Sequence, residues 1–348
     1  MNSGNNETEG LNLYINPRDL SEVLGITVQG LHKFLKEKGI ETRLDNSRSH
    51  RITPENARKI LEAKGIKYPR RKINLHNLKG GVGKTTSAHA LATRAATYGF
   101  RVLAIDLDQQ ANLTSSFGIQ PDPKRKRTFE ALYEIASTGK KESTALDLVT
   151  KIDTHLHLIE SNLSMANFDT KLTLDNTFSI QSAIKDSMAL INADENYDLI
   201  FIDSPPALSK VTTMAHFYSD LILIPIESEK FSLDGLEIIF QHLERMKKTR
   251  DLDTRIFINK YDNKPRIDFL IAGEVAKKYG ENLCETVIPF TSGLKASIAE
   301  GESVWASQKK HNALAAFDNL LREILDLDNL WGKAKKSQHK FNEHAQTV

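Results

Sequence analysis

Residues 79–86 read Lys-Gly-Gly-Val-Gly-Lys-Thr-Thr, and no other stretch constrains the chain so strongly. Glycines let the backbone N–H groups of a tight loop turn toward an anion with no Cβ in the way. A lysine and a hydroxyl residue follow at the spacing of a phosphate-binding loop, whose general form is Gly, four residues, then Gly-Lys-Ser/Thr. The first glycine of that form is missing, because Leu78 stands there, and Lys79 opens the loop instead. Lys84 is expected to meet the β- and γ-phosphates of ATP or ADP, and Thr85 to hold Mg²⁺. Gly80, Gly81, Val82, Gly83 and Thr86 complete the expected nucleotide cradle. The flanks agree: 73–77 is strand-like, 86–98 is Ala-rich and helical, and Gly99 stops that helix. The helix aims its positive end at the same phosphate oxygens.

Further along, apolar runs alternate with helical stretches. Residues 102–105, 199–202 and 221–224 are continuous apolar runs, and 256–258 and 287–288 are shorter ones. Strands without polar alternation are buried on both faces, and helices between them supply the crossovers that parallel strands need. The expected fold is α/β: a P-loop NTPase with a mostly parallel sheet covered by helices on both faces, and ligands at the carboxyl ends of the strands. Two of those ends are acidic, Asp106-Leu107-Asp108-Gln109-Gln110 and Asp203-Ser204-Pro205-Pro206. A lone Asp there is commonly a cap or turn residue. Three Asp at two strand ends beside a phosphate loop suit Mg²⁺ and a positioned water. Asp106, Asp203 and Thr85 are assigned to the metal shell, directly or through water, and Asp108 to the water. Residues 120–195 carry no clear pattern, and their basic run at 124–127 reads as a solvated loop.

The front of the chain is different. Residues 1–72 hold 14 Lys and Arg against 9 Asp and Glu, a charge of +5, whereas the remainder holds 33 against 36. Asn16-Pro17 opens a short helix with Leu20, Val23 and Leu24 on one face, and Gly25 ends it. Thr27 caps a second helix carrying Leu31, Phe34 and Leu35, ended by Gly39. Two short helices about a Gly-containing turn form a helix-turn-helix candidate. Gln29, His32, Lys33 and Lys36 lie on the open side of the second helix, the expected recognition helix. Residues 41–52 read as a hairpin wing with its tip at 45–47 and with Arg43, Arg48, His50 and Arg51 along it. Thr53-Pro54 caps a third helix that Gly65 ends. The expected organisation is a disordered start over 1–10, a winged helix-turn-helix DNA-binding domain over 11–66, a basic linker at 67–72, the NTPase domain at 73–330 and a polar tail at 331–348. Helix pairs with a glycine turn are common in proteins that bind no DNA; the basic wing favours DNA.

Other classes are excluded. A single cysteine, Cys284, permits neither a disulfide framework nor a cysteine-held metal cluster, and suits a reducing cytoplasm. No apolar run is long enough to cross a bilayer.

Taken together, these motifs resemble the ParA-type plasmid and chromosome partition ATPases, in the ParA/MinD group of deviant-Walker NTPases. The resemblance covers about 70–325, and longer members carry an N-terminal winged helix. The second motif of that family usually reads Asp-Leu-Asp-Pro-Gln-Gly-Asn; here Gln109 and Ala111 depart from it. Further matches are 231–236, Phe-Ser-Leu-Asp-Gly-Leu, and 258–262, Ile-Asn-Lys-Tyr-Asp. The resemblance implies a homodimer that sandwiches two ATP molecules, with Lys79 reaching the partner's nucleotide. It implies that Asn259 and Pro289 lie at the adenine, and that the ATP dimer binds DNA nonspecifically near Arg245, Lys247, Lys248 and Arg250, with Lys264 and Arg266 beside them. It further implies a centromere-binding ParB-type partner that stimulates hydrolysis, autorepression through the winged helix, and a cytoplasmic, nucleoid-associated protein. A MinD-like membrane ATPase would need an amphipathic C-terminal helix, and 331–348 is polar. A transcription regulator that uses ATP only as a sensor is the other alternative; Asp108 argues against it.

Overall fold

The computed structural model describes residues 11–44, 50–139, 145–174, 179–227, 233–262, 266–291, 293–294, 304–305 and 312–331. Eight strands form one sheet: β3 (Arg71–Leu75), β4 (Val102–Asp106), β5 (Thr150–Asp153), β6 (Leu156–Ile159), β7 (Leu199–Asp203), β8 (Leu221–Glu227), β9 (Asp253–Tyr261) and β10 (Leu283–Pro289). Their order is β10-β9-β8-β3-β7-β4-β6-β5, and every pairing is parallel except that of β5 with β6. All five apolar runs of the sequence are strands of this sheet. The hairpin of β5 and β6 falls in the stretch whose pattern gave no assignment.

Period-two alternation splits each strand between two cores. Ile73, Leu75, Val102, Ala104, Leu199 and Phe201 face α4 (Lys84–Thr97) and the later helix Asn312–Ile324. Leu103, Ile105, Ile200 and Ile202 pack on the opposite layer, which includes helices Phe129–Thr138, Ile180–Ala189 and Lys210–Tyr218. Beyond β3 that layer continues with Ile222, Ile224 and Ile256 against helix Leu233–Lys247. Burial on both faces is why these strands read as unbroken apolar runs.

The front region forms the expected elements: α1 (Pro17–Leu24), α2 (Val28–Lys38), a two-stranded antiparallel ladder of β1 (Arg43–Leu44) and β2 (His50–Arg51), and α3 (Pro54–Ala63). Each helix starts on its expected cap: Asn16 Oδ1 accepts from Asp19 N at 2.8 Å, and Thr27 Oγ1 from Gly30 N at 3.1 Å. Thr53 Oγ1 accepts from Asn56 N at 3.4 Å. Residues 1–10, the tip at 45–49 with Arg48, and the tail beyond Trp331 lie outside the described residues.

The linker expectation needs correction. Arg71 and Lys72 are the first residues of β3, and the Tyr68 ring packs edge-on against Phe100 at 4.7 Å. Nothing separates the front region from the body: one apolar cluster runs from Leu13, Ile15 and Leu20 through Ile60 and Leu61 into α4. Polar contacts reinforce it. Leu11 N donates to Ile152 O at 3.3 Å, and Leu13 N to Asp153 Oδ2 at 3.1 Å. Arg58 Nη1 donates to Asp198 Oδ2 at 2.5 Å and to Gly99 O at 3.0 Å. Arg94 of α4 pairs with Asp19 of α1 at 3.2 Å and with Asp318 at 2.7 Å.

Candidate nucleotide site

The loop between β3 and α4 is fixed from several sides. Asn77 Nδ2 donates to Pro225 O at 2.7 Å, and its Oδ1 accepts from Lys79 N at 3.0 Å. Gly83, at φ +92°, caps α4; a Cβ there would lie 2.1 Å from Asn259 Nδ2, so any other residue is strained and must displace the Asn259 amide. Lys84 is buried, and its Nζ donates to Asn77 O at 3.1 Å and Lys79 O at 3.0 Å. Burial lowers the Lys84 pKa, while Asp203 and Asp108 act the other way.

Two carboxylates stand side by side below the loop. Asp106 and Asp203 end β4 and β7 as register partners, and both are buried. Asp106 Oδ2 accepts from Thr114 N and Thr114 Oγ1, each at 2.8 Å, and its Oδ1 accepts from Asp108 N at 3.1 Å. Burial pushes the Asp106 carboxyl up to about 7 against those bonds. Burial, then the charge of Asp106, push Asp203 well above the usual carboxylate range. Asp203 Oδ2 accepts from Thr85 Oγ1 at 2.6 Å, while Asp203 Oδ1, also buried, has no hydrogen-bond partner among the described residues. Asp106 thus chiefly anchors the turn that follows β4, and Asp203 keeps an acceptor open.

Asp108 is half-buried; its Oδ1 accepts from Gln110 N at 2.9 Å, and its carbonyl accepts from Ser161 Oγ at 2.7 Å. Ala111, where the family motif has glycine, is buried with φ +53°. That left-handed backbone suits glycine and costs an alanine about 1 kcal/mol, so the departure at Ala111 loads strain into the turn after Asp108.

The outlying assignments separate. Asn259 comes to the loop itself: its Nδ2 donates to Val82 O at 2.8 Å and its Oδ1 accepts from Lys260 N at 3.0 Å. Pro289 ends β10 beside Tyr261, with Phe290 exposed next to it. Among the candidate DNA residues, Gln29, Lys33 and Lys36 are exposed, and the His32 ring packs tilted against His50, with centroids 4.9 Å apart. The Arg51 guanidinium lies 4.0 Å over the Tyr14 ring. Arg245 and Lys248 are exposed, and Lys247 pairs with Glu244 at 3.1 Å. Arg250 donates to Phe217 O and Ser219 O at the end of helix Lys210–Tyr218. The side chains of Arg43 and Arg266, and all of Lys264, lie outside the described residues. The sequence reading missed Asn77, Thr114, Ser161, Glu227 and Lys260. Only Lys260 had a signal, inside the matched stretch 258–262.

The profile of the AAA domain family matches residues 70–257. The chain belongs to the ParA-type P-loop ATPase family. It is 27% identical over 261 residues to the chromosome partitioning protein ParA of Caulobacter vibrioides, an alignment covering 74% of this chain and 94% of that one. A crystal structure of a plasmid partition protein from Borrelia burgdorferi bound to AMPPNP superposes with TM-score 0.60 and 25% identity, covering 74% of this chain and 99% of that one. Cobyrinic acid a,c-diamide synthase of Mycobacterium smegmatis, with an ATP analogue and magnesium, shares the fold at TM-score 0.61 and 22% identity, over 77% of this chain and 97% of that one. Among the described residues no helix is long and apolar enough to cross a membrane.

Proposed function

We propose that this ParA-type ATPase drives DNA partition by binding and hydrolysing ATP with Mg²⁺. The observation that carries the reading is the convergence of Lys84, Thr85 and Asp203 under a glycine loop opened by Lys79. The residues fit Mg²⁺: among the described residues Asp203 Oδ1 is a buried acceptor without a partner, Thr85 Oγ1 donates to the other oxygen of the same carboxylate, and two adjacent carboxylates call for a cation. Thr85 and Asp203 would hold Mg²⁺, which would offset the negative charge of the phosphates. Lys84 gives a point charge to the β- and γ-phosphates, and the start of α4 offers backbone N–H groups. Asp108 orients the attacking water. Asn259 acts first on the loop, and Pro289 lies toward the base.

In the same reading, two subunits close face to face on two nucleotides, and Lys79 crosses to the partner's phosphates. The ATP dimer holds DNA without sequence preference through Arg245, Lys247 and Lys248. The winged helix-turn-helix at 11–66 reads an operator through α2 and the hairpin, while the ATPase domain begins with β3 at Arg71 and runs to about 330. A ParB-type centromere-binding protein and DNA stimulate hydrolysis and release the protein from the nucleoid. The relatives named as partition proteins and the exposed Gln29, Lys33 and Lys36 support this reading.

The test compares two lysine variants. Lys84→Ala is expected to abolish ATP binding, because the phosphates lose their point charge. Lys79→Ala is expected to bind ATP but form no ATP dimer in light scattering. A normal ATP dimer in Lys79→Ala overturns the trans role of Lys79.

A further inference from the structure

β9 ends in a bulge. Val287 pairs with Ile258 and Pro289 with Tyr261, so Asn259 and Lys260 together oppose the single residue Ile288. Lys260 sits there at φ +55°, a left-handed backbone uncommon for a lysine. Bulges and such strained residues re-aim side chains and concentrate at functional sites. Here the bulge sends Lys260 back to the phosphate loop. Its Nζ donates to Gly81 O and pairs with Glu227 Oε2 at 3.2 Å. Glu227 ends β8 as the register partner of Asn259, and both charged side chains are largely buried. Next to Lys260, Asn259 Nδ2 holds Val82 O at 2.8 Å. The end of β9 therefore grips two consecutive carbonyls of the loop.

We propose that Lys260, held by Glu227, is a positioning residue for nucleotide phosphates, acting through the Gly81–Val82 peptide. A trans peptide is planar, and its carbonyl and the following N–H point in opposite directions. A cation fixed on Gly81 O therefore turns the Val82 N–H to the other side of the loop, and Asn259 on Val82 O does the same for the Gly83 N–H. Gly81, at φ +79°, has no side chain to hold its peptide planes, so the constraint comes from outside the loop. Preset N–H groups bind an anion without the ordering cost of a loose glycine loop. The inference rests on the reading of 79–86 as the phosphate cradle.

The experiment measures ATP and ADP affinity, KM, kcat and melting temperature for the full chain and four variants. Lys260→Met keeps the stem and removes the donor. It is expected to weaken ATP and ADP by about tenfold, the loss of one charge-assisted hydrogen bond. KM rises with kcat changed far less, as for uniform binding. Lys260→Arg restores affinity to within about threefold, because a guanidinium also donates to a carbonyl. Glu227→Gln falls between Lys260→Met and wild type. Lys84→Ala tests the cradle itself: if it binds ATP normally, the reading of 79–86 fails. If Lys84→Ala abolishes binding while Lys260→Met binds ATP within twofold of wild type, Lys260 has no positioning role. A Lys260→Met that loses affinity and melting temperature together, with no recovery in Lys260→Arg, makes Lys260 a structural strut and also overturns the proposal.

Discussion

Gly99→Ala probes the joint between the front region and the ATPase body. Gly99 follows α4 at φ +86°, and a Cβ on it would lie 2.6 Å from Arg58 N and 2.8 Å from Arg58 Cα. Those atoms are the backbone of α3, not the end of a flexible side chain, so they cannot swing away. Carbon contacts settle at about 3.5–4.0 Å, so α3 must retreat by about 1 Å. Overpacking of that kind costs about 1–3 kcal/mol. The left-handed backbone adds about 1 kcal/mol for any residue with a Cβ. Retreat also stretches the Arg58 bonds to Asp198, at 2.5 Å, and to Gly99 O, at 3.0 Å. The expected loss is therefore about 2–4 kcal/mol, read in urea unfolding as a lower midpoint with an unchanged slope. Gly99→Ala within about 0.5 kcal/mol of wild type would show that α3 is not fixed against the end of α4, and the account of the joint would fall.

Two further outcomes follow from the geometry. Asp108→Ala is expected to form the ATP dimer but hydrolyse about 10²–10³-fold more slowly, the usual loss for one positioned group; turnover within twofold of wild type removes Asp108 from the mechanism. Burial alone would raise the Asp198 carboxyl, but hydrogen bonds from Arg101 and Arg58 outweigh it and hold the pKa below its ordinary 3.8. A depressed folded pKa stabilises above the unfolded value, and that contribution is lost as pH falls below about 4 through the folded pKa. Urea unfolding between pH 5 and pH 2.5 should show that loss, and Arg58→Met should flatten it; an equal slope in the variant would exclude the pair.

Much of the site was legible because its chemistry is local. A phosphate loop needs its glycines, lysine and hydroxyl within eight consecutive residues, and 79–86 supplies them in order. Asp106 and Asp203 could be placed because each ends an apolar run, and parallel strands bring their carboxyl ends to one edge. The caps Asn16, Thr27 and Thr53 were legible for the same reason, since a cap acts within three residues of itself. The β5–β6 hairpin was not, because it is short and at the sheet edge. The carbonyl partners of Arg250 were not legible because they, at 217 and 219, are remote in sequence.

By itself, then, the sequence determined the phosphate loop, the α/β class, the acidic strand ends and the helices of the front region, all set by neighbouring residues or by strand and helix periods. Only the tertiary structure decided that the supposed linker is partly a strand, and that Gly99 is a point of close approach as well as a helix stop. It also decided that Asp203 rather than Asp106 keeps an open oxygen, and that Asn259 and Lys260 grip the loop. Each of these rests on groups far apart in the chain and packed at contact distance. Burial and register act there, and no local pattern of residues records them.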